Sequence, residues 1–201
     1  MAPSLFIYMM TAAPRVSIFI DGGYLFHVFA PYRCNGYKYS CRRLARKLSE
    51  NYRLIKVRYI DSINQRDPKI REKQEQFFYQ YLRDGLGWDV TILPLQWPGG
   101  QAKQKGTDAI LTLHLHHAAV KDEYDVAILL AADSDYVPAV ELVTEMGKIV
   151  RNAYFSARAS FHLQQACNGK LIRLDDIDFV YPQTDPRQLI CLSALKASTH
   201  L

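Results

Sequence analysis

Four aspartates stand out by their surroundings. Asp21 closes an apolar run at residues 16–20 and is followed by Gly22 and Gly23. Asp133 and Asp135 follow a second apolar run, residues 126–132, in the string Ala-Asp-Ser-Asp-Tyr-Val-Pro. Asp108 opens a helix-like pattern just after Lys105-Gly106-Thr107. Carboxylates at the ends of parallel strands stand where α/β proteins collect ligands. Several of them together repel unless a cation or a proton joins them. Clustered hard oxygen ligands favour Mg²⁺ or Mn²⁺, and such ions serve phosphoryl chemistry.

The elements that must position these acids alternate along the chain. Strands are predicted at residues 16–20, 54–60, 89–93, 126–131, 149–154 and 171–174, the last an edge strand. Helices are predicted at 40–51, 69–84, 107–120, 137–146 and 157–167, with Pro68 at a helix start and Gly85, Gly87 and Gly147 at helix ends. Residues 126–131 are apolar on both faces, as the middle of a parallel sheet requires. The alternation predicts a three-layer α/β/α sandwich with a mainly parallel central sheet. The connection 94–105 is long and polar, a length that often carries function. Residues 1–14 read as an N-terminal extension, 15–181 as one domain, and 182–201 as a C-terminal tail in which Pro182 and Pro186 break the pattern.

Whole-chain properties bound the function. The chain has 201 residues, 49% hydrophobic and 22% charged, enough for one sizeable core. A net charge of +5 allows an anionic partner without demanding one. Four cysteines (Cys34, Cys41, Cys167, Cys191) form no Cys-x-x-Cys pair and read as reduced thiols. The start lacks a basic region and a membrane-length apolar run, so no membrane partner and a cytoplasmic location are expected. Oligomeric state is left open, a homo-oligomer with a shared basic groove included.

Residues 31–58 carry nine cationic side chains, Arg42 and Arg43 among them, against Glu50 alone. Tyr32, Tyr37, Tyr39 and Tyr52 are interleaved. Cations meet phosphates and tyrosines stack on unpaired bases, so RNA is the expected partner; a solvated helix face is the bland alternative. Lys105 is placed to meet a phosphate or is simply an exposed lysine. Ser134 bonds a phosphate or water, or caps a helix. Tyr24 stacks on a base or packs at the sheet edge. Asp61, at the end of the second predicted strand, reads as a solvated turn acid flanking the site. His114, His116 and His117 lack zinc spacing and read as a helix of mixed exposure.

The chain resembles the NYN domain family, in particular its LabA-like (DUF88) branch among the PIN-like nucleases. The resemblance rests on Phe19-Ile20-Asp21-Gly22-Gly23-Tyr24-Leu25, Lys73-Gln74-Glu75-Gln76-Phe77, Lys105-Gly106-Thr107-Asp108, residues 130–138 and Gly147-Lys148, in order along the chain. It implies a PIN-like Rossmannoid sheet and a metal-dependent endoribonuclease. Asp21, Asp108, Asp133 and Asp135 would be its catalytic and metal-binding acids, with Mg²⁺ or Mn²⁺ as cofactor. Three positions depart from the family's pattern: Tyr24 for Asn, Ala132 for Gly, and His114 for an acid. The last would weaken a metal position. His114 and the Tyr24 variant motivate an alternative: an RNA-binding or regulatory module of weak or no activity on the same fold.

Overall fold

Strand β1 (Arg15–Asp21) is buried along residues 16–20, because its two faces meet two different cores. The computed structural model describes residues 12–176 and 178–182. The predicted extension before residue 12 and the tail after residue 182 lie outside the described residues.

After β1 come α1 (Gly22–Val28), α2 (Ala30–Cys34), β2 (Tyr37–Tyr39), α3 (Cys41–Leu48) and β3 (Arg53–Ile63). Helix α4 (Pro68–Glu75) continues as a π-helical segment, Gln76–Gly85, into β4 (Asp89–Pro94). The second half contains α5 (Thr107–Val120), β5 (Val126–Leu130), α6 (Val137–Glu145), β6 (Ile149–Tyr154), α7 (Phe161–Ala166), β7 (Leu171–Arg173) and β8 (Val180–Pro182). Six strands form one parallel sheet in the order β4-β3-β1-β5-β6-β7. The order reverses direction between β1 and β5, which defines a switch point there. One core gathers Leu25, Leu44, Leu48, Phe78 and Leu82 from α1, α3 and the π segment. The other gathers Leu111, Leu115, Val140, Val143 and Leu163 from α5, α6 and α7. The three-layer expectation holds.

The helices follow their sequence signals closely. In α3, Cys41, Leu44, Ala45 and Leu48 repeat at helical spacing and are buried, and the Ser40 hydroxyl accepts from the Arg43 N–H at 3.3 Å. In α4, Pro68 stands in the first turn and Asp67 accepts from the amides of Lys69 and Ile70.

Several expectations are corrected. The single helix at 69–84 changes to π geometry at Gln76, where Phe77 and Phe78 both pack against Tyr59. The helix at 157–167 begins only at Phe161, because residues 155–158 form a tight turn bridged between Phe155 and Arg158. Strand β3 runs past residue 60 and carries Asp61 inside it. Four short elements had no sequence prediction: α1, α2, β2 and β8. The strands β2 and β8 pair antiparallel in a separate two-stranded sheet. Among the described residues no helix is long and apolar enough to cross a membrane. Cys34, Cys41 and Cys167 are free thiols, and Cys191 lies outside the described residues.

Candidate metal and nucleic-acid site

Asp21 is the last residue of β1 and caps α1, its Oδ1 accepting from the Tyr24 N–H at 2.9 Å. Asp108 lies in the first turn of α5, after Gly106 takes a left-handed backbone at φ +86°. The two acids meet at one group. The Tyr136 hydroxyl lies 2.8 Å from Asp108 Oδ1 and 3.2 Å from Asp21 Oδ2. A phenol has one proton to donate, so it cannot satisfy two ionised carboxylates at once. Burial pushes the Asp21 carboxyl up to about 6, and the charge of Asp108 adds to this against the stabilising Tyr24 amide. Burial and both carboxylates raise the Tyr136 phenol far above its usual range, so it stays a donor.

Asp133 and Asp135 stand on the turn that carries Tyr136. Asp133 Oδ1 accepts from the Asp135 N–H at 3.0 Å, and both residues are exposed with Ser134. Behind them the buried Asn152 of β6 donates to the carbonyls of Leu129 and Ala131 at 3.1 and 2.9 Å. That bond steadies the end of β5 from which the turn departs. Sequence reasoning passed over Asn152; its one signal is a polar residue inside an apolar strand.

Asp61 was misread. It is buried rather than a solvated turn acid. Its Oδ1 accepts from Ser62 N–H at 2.7 Å and from Gln104 Nε2 at 2.8 Å, and its Oδ2 from the Tyr59 hydroxyl at 2.8 Å. Burial pushes its carboxyl up to about 7, and the charge of Asp21 contributes. A β-carbon added to Gly22 would lie 2.5 Å from Asp61 Oδ2. The glycine therefore admits a second carboxyl beside Asp21. The signal in the sequence was positional, an acid near the end of a strand neighbouring β1.

The structure thus brings Asp21, Asp108 and Tyr136 together, with Asp61 behind Gly22. It leaves Asp133 and Asp135 at the rim. Among the described residues no three His, Cys, Asp or Glu side chains converge as a ready-made metal cage, and none of these five acids forms an ion pair with Lys or Arg. The donor set is nonetheless all oxygen. Two facing carboxylates without a counter-cation suit Mg²⁺, which takes one or two direct carboxylates and keeps its waters.

The remaining candidates are sorted by the fold. Arg42 and Arg43 are exposed near the start of α3, and Arg43 lines a cleft with Arg46, Lys47, Glu50 and Asp178. Lys105 is exposed on the loop directly before Asp108. Three cations of the basic segment belong to the interior. Arg33 stacks on Phe26, Arg58 pairs with Glu123 and Asp89, and Lys38 is buried. Tyr39 stacks on Phe29 at 4.3 Å between ring centroids. The basic surface is therefore smaller than composition suggested. The Tyr24 hydroxyl accepts from Phe155 N–H at 2.9 Å and donates to the Arg158 carbonyl at 2.8 Å, tying α1 to the β6–α7 turn. His114 lies away from the acids. It lines a cleft with Arg58, Asp89, His117 and Glu123, six residues and about 9 Å along α5 from Asp108. Burial, with Arg58 and His117 nearby, lowers its pKa despite Asp89.

A parallel sheet with carboxylates beside its switch point defines a doubly wound α/β protein. The NYN domain model matches residues 15–175, and the chain belongs to that family. The NYN domain is a PIN-like nuclease fold, and NYN nucleases act on RNA. Among solved structures, a protein of unknown function from Vibrio parahaemolyticus RIMD 2210633 is similar, with a TM-score of 0.66 and 22% identity over 84% of this chain and 97% of that one. That likeness concerns the fold. Among curated proteins there is no match.

Proposed function

We propose that this chain is a metal-dependent endoribonuclease of the LabA-like branch. The observation that carries the reading is the pair Asp21 and Asp108, held on one tyrosine hydroxyl at the switch point with no Lys or Arg ion pair among the described residues. In this reading Asp21 and Asp108 would hold Mg²⁺ or Mn²⁺, with Asp133 and Asp135 as supporting acids at the rim. A bound divalent ion lowers the pKa of a bound water and offsets charge on the phosphate. Asp133 or Asp135, both exposed, would serve as the acceptor for the proton of the attacking water. Tyr136 orients the two inner carboxylates. Arg42, Arg43 and Lys105 meet RNA phosphates, and Ser134 bonds a phosphate or a water. Tyr24 serves by fixing α1, since its hydroxyl is spent on Phe155 and Arg158.

The alternative, an RNA-binding module of weak or no activity, is motivated by His114 and Tyr24. His114 lines a cleft with Arg58 and Asp89, and no acid stands in its place on α5. The test is cleavage of end-labelled single-stranded and structured RNA in Mg²⁺, Mn²⁺ and EDTA. Cleavage is expected with either metal and lost in EDTA. Asp133→Asn is expected to abolish cleavage, leaving the thermal midpoint within a degree or two. A folded wild type that binds RNA but cuts none in any metal supports the module instead.

A further inference from the structure

The loop between β4 and α5 has a built form that the acidic site does not explain. Gln96 and Lys103 exchange backbone bonds at 3.0 and 2.8 Å, closing a small hairpin whose tip is Pro98–Gly100. Gln104, next along the chain, is bonded to Asp61 and abuts Gly23. The hairpin is thus pinned to the floor of the acidic site. It carries Trp97 and Lys103, and Lys105 follows just after it. The Arg66 guanidinium, from the β3–α4 connection, lies 4.6 Å above the centre of the Trp97 ring. Arg66 itself is exposed. The indole Nε1 is covered yet finds no acceptor among the described residues, so the ring is not seated by the hydrogen bond a structural tryptophan normally makes.

We infer that Arg66 and Trp97 form a stacking platform for an unpaired base of an RNA strand passing the acidic site. This rests on the ribonuclease reading and adds to it a base-binding subsite outside the acidic site. A guanidinium plane stacked on an indole offers its outer face to a base, and every base has a π-face to place there. Lys103 on the hairpin and Lys105 just after it supply phosphate contacts. Chain geometry puts the Trp97 and Gln104 α-carbons within about 13 Å, near enough for one strand to meet both the platform and the acids.

The platform is tested by binding in EDTA, where no strand is cut. The probes are a 12-nucleotide single-stranded RNA, the same length of blunt RNA duplex, and polyphosphate. Single-stranded RNA is expected to quench Trp97 emission; the second tryptophan, Trp88, is buried in the core and serves as an internal constant. Trp97→Ala and Arg66→Ala should each weaken single-strand binding about tenfold, as loss of one stacked base predicts. Trp97→Phe should retain most of the affinity. Circular dichroism establishes that each variant is folded, and Arg66→Ala carries the test if Trp97→Ala is not. Equal binding by wild type and folded Arg66→Ala overturns the platform. So does equal quenching by polyphosphate, or the absence of single-strand binding by wild type. Platform-dependent binding without cleavage in any metal overturns the ribonuclease reading alone, and cleavage with unaltered Arg66→Ala binding overturns the platform alone.

Discussion

Replacing Tyr136 by Phe removes one oxygen from between two carboxylates. Tyr136 is buried, so the ring would stay in place and the hydroxyl alone would be lost. Asp108 would lose its 2.8 Å donor and Asp21 its 3.2 Å contact. Hydrogen bonds to charged groups contribute about 1.5–3 kcal/mol. Tyr136→Phe is therefore expected to lower stability in urea by about that amount at pH 8. It should also reduce RNA cleavage more than RNA binding, because it loosens the acids and not the basic surface. Unchanged cleavage with a normal urea midpoint would remove Tyr136 from the site. The acids themselves were readable from sequence, since each stands at a strand end or helix start. Tyr136 and Asp61 were not, because their importance comes from partners 28 and 43 residues away.

At the scale of elements, the turn from β1 into α1 is closely packed. Helix α1 begins with two glycines, which sequence propensity reads as a loop. The structure gives the reason for them. A β-carbon at Gly22 would lie 2.5 Å from Asp61 Oδ2 and 2.6 Å from the Tyr59 hydroxyl, so side chains of β3 press against the backbone of α1. Gly22→Ala is expected to cost about 1–3 kcal/mol by overpacking, read as a lower urea midpoint, with cleavage falling alongside. At Gly23 the neighbour is the flexible end of Gln104, which can move, so Gly23→Ala should be milder. A Gly22→Ala protein as stable as wild type would show that Asp61 sits elsewhere. The helices α3, α5 and α6 were legible because each buries one periodic stripe. The short strands β2 and β8 were not, because three-residue segments carry no period and exist through each other.

The whole molecule stores unfavourable charge at its carboxyl edge, and global stability should report it. Asp61 titrates near 3.8 when its environment is ordinary and is pushed up to about 7 in the fold. The folded state therefore favours its protonated form. Its contribution to stability is fully present below pH 3.8 and is lost as pH rises through about 7. Asp61→Asn mimics the protonated form and should cancel that slope, becoming more stable than wild type at pH 8 by a few kcal/mol. Urea unfolding at pH 4 to 8 in EDTA measures it, and parallel curves for the two proteins would contradict the assignment. The remaining slope, up to about pH 6, belongs to Asp21. By itself the sequence determined the three-layer sheet, the order of its main elements and the four candidate acids, because hydrophobic period and strand-end position are local properties. Only the tertiary structure decided which charges are free to act. Burial and pairing depend on neighbours far along the chain. They turned Arg33, Lys38 and Arg58 into interior groups, carried His114 away from the acids, and set Asp61 beside Asp21.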